Sequence, residues 1–477
     1  MGCKWVYKIK RDSQGNVDKY KARLVTKGFT QREGIDYNET FSPVSTKDSF
    51  RIIMALVAHY NLELHQMDVK TAFLNGDLNE RVYMAQPKGF VIKGKENWGC
   101  RLIKSIYGLK QASRQWYLKF DQTIRKFGFE ENREDNCIYA KFKNGKFIFL
   151  ILYVDDILLA SSVMDLLLDT KRFLSSSFDM KDLGEASYVL GIEIHRDRKK
   201  GALGLSQKAY LEKILRQYGM QACKPTPAPI VKGQKFGIHQ CPRNQYEIDG
   251  MKAVPYASAV GSLMYAQVCT RPDLAYVTGV LGRFQSNPGE KHWQLVKKAL
   301  RYVQGTKGLM LVYQRSDNLE IVGYSDADFA GTDKQKSTSG YVFILANGAI
   351  SWRSRKQTIT TSSTMYDEFI ACYEAVGQVS WLKKFVPGLR VVDSIQKPLK
   401  LYCDNEPAIC YAFNNKSSDA AKHIDIKYYV VKERVQDHTI DLEHISTKQM
   451  LADPLTKGLP PNVFREHVAG MGLRESL

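Results

Sequence analysis

Two adjacent aspartates between two strongly apolar runs constrain the fold of this chain more than any other sequence feature. Asp155 and Asp156 separate the run Phe147–Val154 from the run Ile157–Ala160, and both runs are too apolar to lie exposed. The pattern therefore places two carboxylates at the tip of a β-hairpin. Adjacent carboxylates there are electrostatically costly unless a cation offsets their charge. Divalent metal ions would do so, and the alternative is that the two aspartates simply make a turn.

A third aspartate, Asp68, directly follows a short strand predicted over residues 62–67. Phosphoryl transfer by two metal ions needs several acidic oxygens that converge on ions about 3.5–4 Å apart. Hard oxygen ligands and bound phosphates suit Mg²⁺. A pair of Mg²⁺ ions would therefore suit acids such as these, whereas adjacent aspartates alone are equally typical of a turn.

Four blocks within about the first 225 residues resemble, in the correct order, the motifs of reverse transcriptases from copia-type LTR retrotransposons. The blocks are QMDVKTAFLNG at 66–76, YGLKQA at 107–112, YVDD at 153–156 and YVLGIEI at 188–194. The YVDD block is similar to the YxDD box of the family, and the first block looks like its first metal-binding motif. The resemblance implies an RNA-directed DNA polymerase that extends a DNA primer on an RNA template with deoxynucleoside triphosphates. It also implies that Asp68, Asp155 and Asp156 are the ligands of two Mg²⁺ ions, with Mn²⁺ as the alternative ion.

The same resemblance implies substrate-binding roles for five residues. Phe73 would lie against the sugar of the incoming nucleotide and exclude a 2′-hydroxyl, and plain core packing is the alternative. Lys21 and Arg23 would contact the triphosphate, or else form part of a solvated basic hairpin. Gln111 would contact template or nucleotide, or would simply be a polar residue at a helix N-terminus. Tyr153 belongs to this set as the first residue of the YVDD box.

Four further acids, far apart in sequence, form a second candidate metal cluster. Asp326 and Asp404 each end a predicted strand, Glu368 lies on a predicted helix, and Asp453 lies at or near a C-terminal helix. Their local sequences, over roughly residues 320–460, are similar to the ribonuclease H of copia-type elements. The resemblance implies that these acids hold two Mg²⁺ ions and that a metal-activated water cleaves the RNA strand of an RNA–DNA hybrid. For Asp453 an ordinary helix-start role is the alternative.

Other polar residues lie close to these acids in sequence. Asp328, Asp367 and Asp425 are neighbouring carboxylates, and the family motifs favour Asp326 and Glu368 over them. His423 is a candidate for metal or product handling, with a packed or solvent-facing histidine as the alternative.

The expected fold class is an α+β right-hand polymerase with fingers, palm and thumb, followed by an α/β ribonuclease H-like domain with a mixed sheet. The order β-β-β-α-β-α after Arg315 supports the second part. Apolar spacing predicts helices over residues 47–59 and 364–385, and Gln14-Gly15 and Asn144-Gly145 predict turns between strands. We predict truncated fingers and palm over 1–225, a helical thumb or connection over 226–315, and the ribonuclease H-like domain over 316–477. Six residues of the middle region are candidates for duplex backbone contacts, with a solvated helix face as the alternative: Tyr265, Arg271, Arg283, Lys297, Lys298 and Arg301.

The charge balance fits a nucleic-acid partner. Lys and Arg total 69 against 50 acids, a net charge of +19 that attracts polyanions, although a merely basic soluble protein has the same balance. Nine cysteines without C-x-x-C spacing predict reduced thiols. With no secretion signal and no membrane-length apolar run, we expect a cytoplasmic (virus-like particle) or nuclear location. The sequence gives no oligomeric state.

Three functional hypotheses follow. The first is an RNA-directed DNA polymerase with ribonuclease H activity, acting on an RNA template, a DNA primer and their hybrid. The second is a truncated, catalytically impaired retroelement remnant. The third is a non-catalytic nucleic-acid-binding protein, which would hold a hybrid without Mg²⁺ and leave both strands intact.

Overall fold

A computed structural model describes residues 1–11, 16–329, 331, 336–361, 363–413 and 425–477. The strands of these residues are β1 Cys3–Arg11, β2 Val17–Thr26, β3 Glu63–Val69, β4 Tyr83–Ala85, β5 Gly99–Arg101, β6 Glu130–Glu131, β7 Ile138–Lys143, β8 Lys146–Tyr153, β9 Asp156–Ser161, β10 Met180–Glu185, β11 Tyr188–Val189, β12 Ile192–Asp197, β13 Ala202–Ser206, β14 Met310–Gln314, β15 Val322–Asp328, β16 Thr338–Leu345, β17 Gly348–Lys356, β18 Leu399–Cys403, β19 Ile440–His444 and β20 Leu473–Arg474. The α-helices are α1 Lys47–His59, α2 Ala112–Lys126, α3 Met164–Ser177, α4 Lys208–Gln217, α5 Gln245–Lys252, α6 Tyr256–Cys269, α7 Ala275–Gly282, α8 Glu290–Thr306, α9 Thr364–Phe385, α10 Glu406–Phe413, α11 Asp425–Gln436 and α12 Pro461–Gly470. None of the described helices is long and apolar enough to cross a bilayer. His423 and the predicted turn residues Gln14 and Gly15 lie outside the described residues.

The chain divides into two compact units. The first consists of Met1–Thr46 and Glu63–Ala186, and the second of Lys47–Leu62 and Ser187–Leu477. This division does not address the functional boundaries predicted after residues 225 and 315, which stay predictions. It does assign α1, from the N-terminal part of the sequence, to the second unit.

The first unit is built on a six-stranded antiparallel sheet with the order β10-β3-β9-β8-β7-β6. Inward-facing side chains of its central strands pack with α2 and α3 to form one apolar core. The hairpin predicted at Asn144 and Gly145 is confirmed. Both residues have positive φ angles, 51° and 73°, which match the right-handed twist of the flanking strands.

The hairpin β1–β2 approaches a loop of the same unit very closely. Thr26 donates its backbone N–H to the carbonyl of Tyr107 at 2.9 Å. A Cβ atom at Gly28 would lie 1.9 Å from the carbonyl oxygen of Gly108, so that a side chain cannot be accommodated there. Two glycines thus allow the basic hairpin to pack directly on the 107–112 loop.

The second unit contains a five-stranded mixed sheet with the order β17-β16-β15-β18-β19. The strands β15, β16 and β17 are antiparallel neighbours, whereas β18 pairs in parallel with both β15 and β19. The predicted order β-β-β-α-β-α is confirmed for β15 to α10, and α9 has the predicted bounds. The fifth strand, β19, was not predicted. A second five-stranded sheet, antiparallel throughout, has the order β11-β12-β13-β14-β20.

Helix α1 is embedded in the second unit. All residues from Ser49 to Ala58 are buried, and the helix contacts β13, β14 and β17. The guanidinium of Arg51 lies 3.8 Å from the ring centroid of Trp352. Ser351 donates its hydroxyl to Asp48 Oδ2 at 2.6 Å. A helix predicted only from its apolar periodicity therefore also carries a polar attachment to β17.

Arg271 does not lie on a nucleic-acid-binding surface. Its side chain is fully buried and pairs with Asp273, with 2.7 Å between Nη2 and Oδ2. Tyr302 donates its hydroxyl to the same carboxylate oxygen at 2.6 Å, and the guanidinium also donates to Thr306. The suggested backbone contact is wrong for this residue because every polar atom of the group points into the protein core.

This buried pair gives a stability prediction. Asp273→Asn removes the charge that compensates Arg271, and breaking a buried pair in this way costs about 3–5 kcal/mol of unfolding free energy. Urea titration followed by circular dichroism measures the change. The matched control is Asp249→Asn, which breaks the exposed pair of Asp249 with Lys252 and should leave the urea midpoint unchanged. Equal midpoints for both variants would contradict the structural role of the buried pair.

Candidate active sites

The first three predicted ligands lie on neighbouring strands at one end of the six-stranded sheet. Asp68 of β3 is directly opposite Asp156 of β9 in the antiparallel register. Asp155 precedes β9, and its carbonyl accepts the N–H of Val69 at 2.9 Å. Gln66 donates its amide to Asp156 Oδ1 at 2.9 Å. The fold thus places the three acids close together, while their function as ligands stays a prediction.

The tip of the hairpin that carries two of these acids is strained and held in place. Val154 has a φ of 59°, a left-handed conformation that is unusual for a β-branched residue. Its carbonyl accepts the indole N–H of Trp116 at 2.6 Å. Such backbone strain persists only where the surroundings fix it, and it occurs preferentially at functional sites.

Burial and mutual repulsion act on the carboxylates of the first cluster. The pKa of Asp68 is raised, first by burial and then by the charge of Asp155, while Lys21 opposes the rise. Burial also raises the pKa of Asp156, against the hydrogen bond from Gln66. A bound cation would relieve both effects, because it favours the ionised carboxylates.

The predicted triphosphate and sugar contacts are linked through one aromatic ring. The Arg23 guanidinium lies 5.5 Å from the ring centroid of Tyr107. That ring is 5.1 Å, centroid to centroid, from Phe73. The pKa of Lys21 is lowered, mainly by partial burial, while Asp68 and Asp155 oppose the shift. Arg23 and Phe73 therefore flank the same ring, while Lys21 interacts electrostatically with Asp68 and Asp155 of the first cluster.

Gln111 is placed differently from a substrate contact. It is fully buried, accepts a hydrogen bond from Gln31 at 3.0 Å and donates one to the carbonyl of Asp36 at 2.8 Å. A contact with template or nucleotide would have to replace these bonds, so the geometry favours a role in holding the 31–36 loop. Tyr153 is partly buried at the end of β8, opposite Asp156 in the register.

The second cluster brings together acids from four separate elements. Asp326 lies on β15, Glu368 on the second turn of α9, Asp404 directly after β18, and Asp453 at the start of a 3-10 turn, Asp453–Leu455. Carboxylate oxygens of Asp326, Asp404 and Asp453 all lie within 4.8 Å of one another. Glu368 and Asp404 form an overlapping group with the sulfur of Cys403. Asp404 is common to both groups.

The neighbouring acid Asp367 has other partners. Ser337 donates its hydroxyl to Asp367 Oδ2 at 2.5 Å, and Thr361 donates to Oδ1. In contrast, Oε2 of the buried Glu368 has no hydrogen-bond partner among the described residues. Two hydroxyl groups thus hold Asp367, and the choice of Glu368 as the ligand stays a prediction.

Two residues of the second cluster were missed in the sequence. The Lys457 ammonium lies 2.9 Å from Asp453 Oδ1 and 3.3 Å from Asp326 Oδ1. Thr456 donates its hydroxyl to Asp326 Oδ2. Lys457 could have been found from its spacing, since a lysine four residues after an aspartate forms a pair on one helical face. The Asp326 contacts span 130 residues or more and leave no local signal.

Burial makes the second cluster sensitive to pH. Burial raises the pKa of Asp326 to about 7, with Asp453 adding to the rise and Lys457 opposing it. Burial likewise raises the pKa of Glu368 and of Asp453. Without a metal ion, the native protein therefore holds protons that the unfolded chain releases at lower pH.

The pH dependence of stability tests this conclusion. Between the ordinary pKa of 3.8 and about 7, native Asp326 binds more protons than unfolded Asp326, so its contribution to unfolding free energy falls as pH rises. Asp326→Asn stays uncharged. In EDTA, urea titrations should therefore show the variant gaining stability relative to wild type from pH 5 to pH 8. The exposed acid variant Asp317→Asn is the control, and an equal difference at both pH values for Asp326→Asn would refute the assignment.

The donor sets fit hard divalent cations. The first set consists of three carboxylates. The second set consists of carboxylates that lie close together, two of which pair with the ammonium of Lys457. Among the described residues, the groups of three ligand atoms within 4.8 Å of one another are both in the second cluster. The three acids of the first cluster do not form such a group.

Comparison with known proteins gives the family. Residues 1–232 match the reverse transcriptase (RNA-dependent DNA polymerase) family. The Pol polyprotein from transposon TNT 1-94 of Nicotiana tabacum is 46% identical over 464 residues, which are 97% of this chain and 35% of the relative. The Pol polyprotein from transposon RE1 of Arabidopsis thaliana is 35% identical over 477 residues, 99% of this chain and 32% of the relative. The chain thus spans about a third of these curated relatives.

A shorter relative is covered completely. A transposon Ty5-1 protein of Saccharomyces cerevisiae is 30% identical over 315 residues, which are 66% of this chain and 100% of that protein. A foamy virus protease-reverse transcriptase structure is 10% identical with a TM-score of 0.24, covering 96% of this chain and 51% of that one, and this similarity is too weak to support an argument. The sequence matches and the order of the motifs agree, and the chain belongs to the copia-type retrotransposon Pol polyproteins, with a reverse transcriptase domain over residues 1–232.

Proposed function

We propose that this chain is an RNA-directed DNA polymerase with ribonuclease H activity, which copies retrotransposon RNA into DNA and degrades the RNA of the resulting hybrid. The observation that carries the proposal is the pairing of Asp68 with Asp156, with Asp155 beside them, at the strained tip of a buried hairpin. An exposed turn would need neither the strain at Val154 nor the bond from Trp116.

The polymerase residues have distinct tasks in this proposal. Asp68, Asp155 and Asp156 hold two Mg²⁺ ions, with Mn²⁺ as a substitute. Lys21 and Arg23 hold the triphosphate of the incoming deoxynucleotide, and Tyr107 supports the guanidinium of Arg23. When bound, the metal ions supply positive charge for the attacking and leaving oxygens.

The ribonuclease H assignment rests on the second cluster and its sheet. Three antiparallel strands followed by two parallel ones place Asp326 on the central strand and Asp404 at the end of its parallel neighbour. Glu368 and Asp453 reach the same point from α9 and from a 3-10 turn. This arrangement supports an α/β ribonuclease H-like fold, in which the four acids hold the metal ions and Lys457 offsets the charge that remains.

The net charge of +19 supports an RNA template, a DNA primer and their hybrid as partners. We place the activity in cytoplasmic virus-like particles or in the nucleus. Because the chain covers about a third of the TNT 1-94 and RE1 polyproteins, these partners are proposed for the residues of this chain and not for a whole polyprotein.

A single assay tests the function. The purified chain is incubated with Mg²⁺, deoxynucleotides and an RNA template annealed to a labelled DNA primer, and primer extension and RNA cleavage are followed together. Both activities should occur and both should stop in EDTA. Cleavage without extension would restrict the function to ribonuclease H. Salt-sensitive binding with neither activity would favour the remnant or the non-catalytic binder and refute the enzyme assignment.

Phe73 gives a prediction about sugar selection. Its ring packs against Tyr107, so removal should open space where a ribose 2′-hydroxyl would lie. Phe73→Ala should raise the ratio of ribonucleotide to deoxynucleotide incorporation roughly 10- to 100-fold. Single-nucleotide extension measures the ratio, with Leu74→Ala, a change at the adjacent and more exposed position, as the control. Loss of stability with an unchanged ratio would identify Phe73 as a packing residue only.

A further inference from the structure

Two thiols lie directly beneath the second cluster, and the proposed reaction does not use them. Cys403 is the last residue of β18 and precedes Asp404, while Cys372 lies one helical turn after Glu368 on α9. Both are buried, and the Cys403 thiol donates to the carbonyl of Asn405 at 4.0 Å. Cys372 also lies 3.3 Å from the hydroxyl of Ser325.

One of these thiols belongs to the second set of ligand atoms, which shares Asp404 with the all-carboxylate set. The sulfur of Cys403 and carboxylate oxygens of Glu368 and Asp404 all lie within 4.8 Å of one another. Glu368 is 7% exposed, and its Oε2 has no hydrogen-bond partner among the described residues. A buried carboxylate oxygen without a partner is costly, and a cation held by these three groups would satisfy it.

Sulfur changes which cation this set prefers. Mg²⁺ takes oxygen ligands, whereas a thiolate selects softer ions such as Zn²⁺ and Cd²⁺. Zinc bonds are about 2.3 Å to sulfur and about 2.0–2.2 Å to carboxylate oxygen, so three ligands of one zinc ion lie about 3.3–3.8 Å apart. The present atoms lie within 4.8 Å of one another, so that binding would draw them closer together.

We propose that Glu368, Cys403 and Asp404 form a binding site for a soft divalent cation of the Zn²⁺ type, distinct from the all-carboxylate group of Asp326, Asp404 and Asp453. On binding, the Cys403 thiol releases its proton to solvent and a sulfur–metal bond forms, with no change of oxidation state.

The consequence for catalysis rests on the proposed ribonuclease H function. The soft ion takes Glu368 and Asp404, which the hydrolytic reaction needs. Zn²⁺ therefore inhibits RNA cleavage in competition with Mg²⁺, while primer extension, which depends on a different set of acids, is spared.

Spectroscopy tests the site without any substrate. The full-length reduced protein is titrated with Cd²⁺, and in a second experiment with Co²⁺, and the sulfur-to-metal charge-transfer absorption is recorded. We expect saturation at one equivalent with a charge-transfer band. Cys403→Ser should abolish the band, whereas Cys410→Ser, at an exposed cysteine on α10, should titrate as wild type does. An absent band, or a band that persists in Cys403→Ser, overturns the proposal.

A second variant covers the case in which Cys403→Ser does not fold. Glu368→Gln keeps both thiols and should weaken Cd²⁺ binding by roughly tenfold or more, because one of three ligands is lost. Unchanged affinity in this variant overturns the three-ligand site. Different measurements decide the two proposals. Absence of Mg²⁺-dependent RNA cleavage refutes the ribonuclease H assignment, while the charge-transfer band alone decides whether the thiol site exists.

Discussion

Asp155→Asn should reduce primer extension by roughly a thousandfold or more, which corresponds to about 4 kcal/mol of transition-state stabilisation. Asparagine keeps the shape of the side chain and removes the negative charge that a divalent ion needs. Asp155 is exposed and uses its backbone carbonyl to bond Val69, so the substitution should leave the hairpin folded. RNA cleavage should continue at the wild-type rate, because it depends on the second cluster.

The control for this variant is Asp179→Asn. Asp179 is also an exposed acid of the first unit, where it pairs with Lys70 at 2.8 Å. The Asp179→Asn variant should retain full primer extension. The proposal of two independent active sites would be wrong if folded Asp155→Asn kept more than a tenth of the wild-type primer extension. It would also be wrong if this folded variant lost RNA cleavage.

Asp404→Asn should have the opposite effect. Asp404 belongs to both ligand groups of the second cluster, so loss of its charge weakens every metal position that the cluster offers. We expect RNA cleavage to fall by roughly a thousandfold while primer extension is retained. Cleavage of a labelled RNA strand in a preformed hybrid measures the first activity. Extension of a labelled DNA primer on an unlabelled RNA template measures the second.

Asp441→Asn is the matched control for Asp404. Asp441 is an exposed acid on the neighbouring strand β19 and lies outside both ligand groups. It should leave cleavage and extension unchanged. Retained cleavage in folded Asp404→Asn would remove the second cluster from the reaction and limit the enzyme to its polymerase.

Local patterns were sufficient to predict much of the fold. The Asn144-Gly145 turn, the bounds of α1 and α9 and the strand before Asp404 all agree with the structure. Each of these features is encoded within a few residues, by a hairpin turn, by helical spacing or by a short apolar run. The acids could be located for the same reason, because each one follows or ends a recognisable element.

Features that depend on distant contacts could not be predicted. The strand β19 joins the mixed sheet only by pairing with β18, and Gln111 is buried by the 31–36 loop. The docking of Thr456 on Asp326 and the burial of Arg271 likewise arise from tertiary packing. An arginine side chain suggests an exposed cation. Arg271 is instead buried, because it forms an ion pair with Asp273, which is buried as well.

The position of α1 has a consequence for synthesis of the protein. Its attachment joins Asp48 to Ser351, which are 303 residues apart in the chain. At roughly 5–20 residues per second, the ribosome finishes the partner strand about 15–60 s after the helix. During that interval the helix can contact β13, but its other partner strands β14 and β17 are still to be completed, and a nascent chain that stalls before them leaves part of its apolar surface unburied. We expect ribosome-bound chains of this protein to need chaperone protection until β17 has left the ribosome.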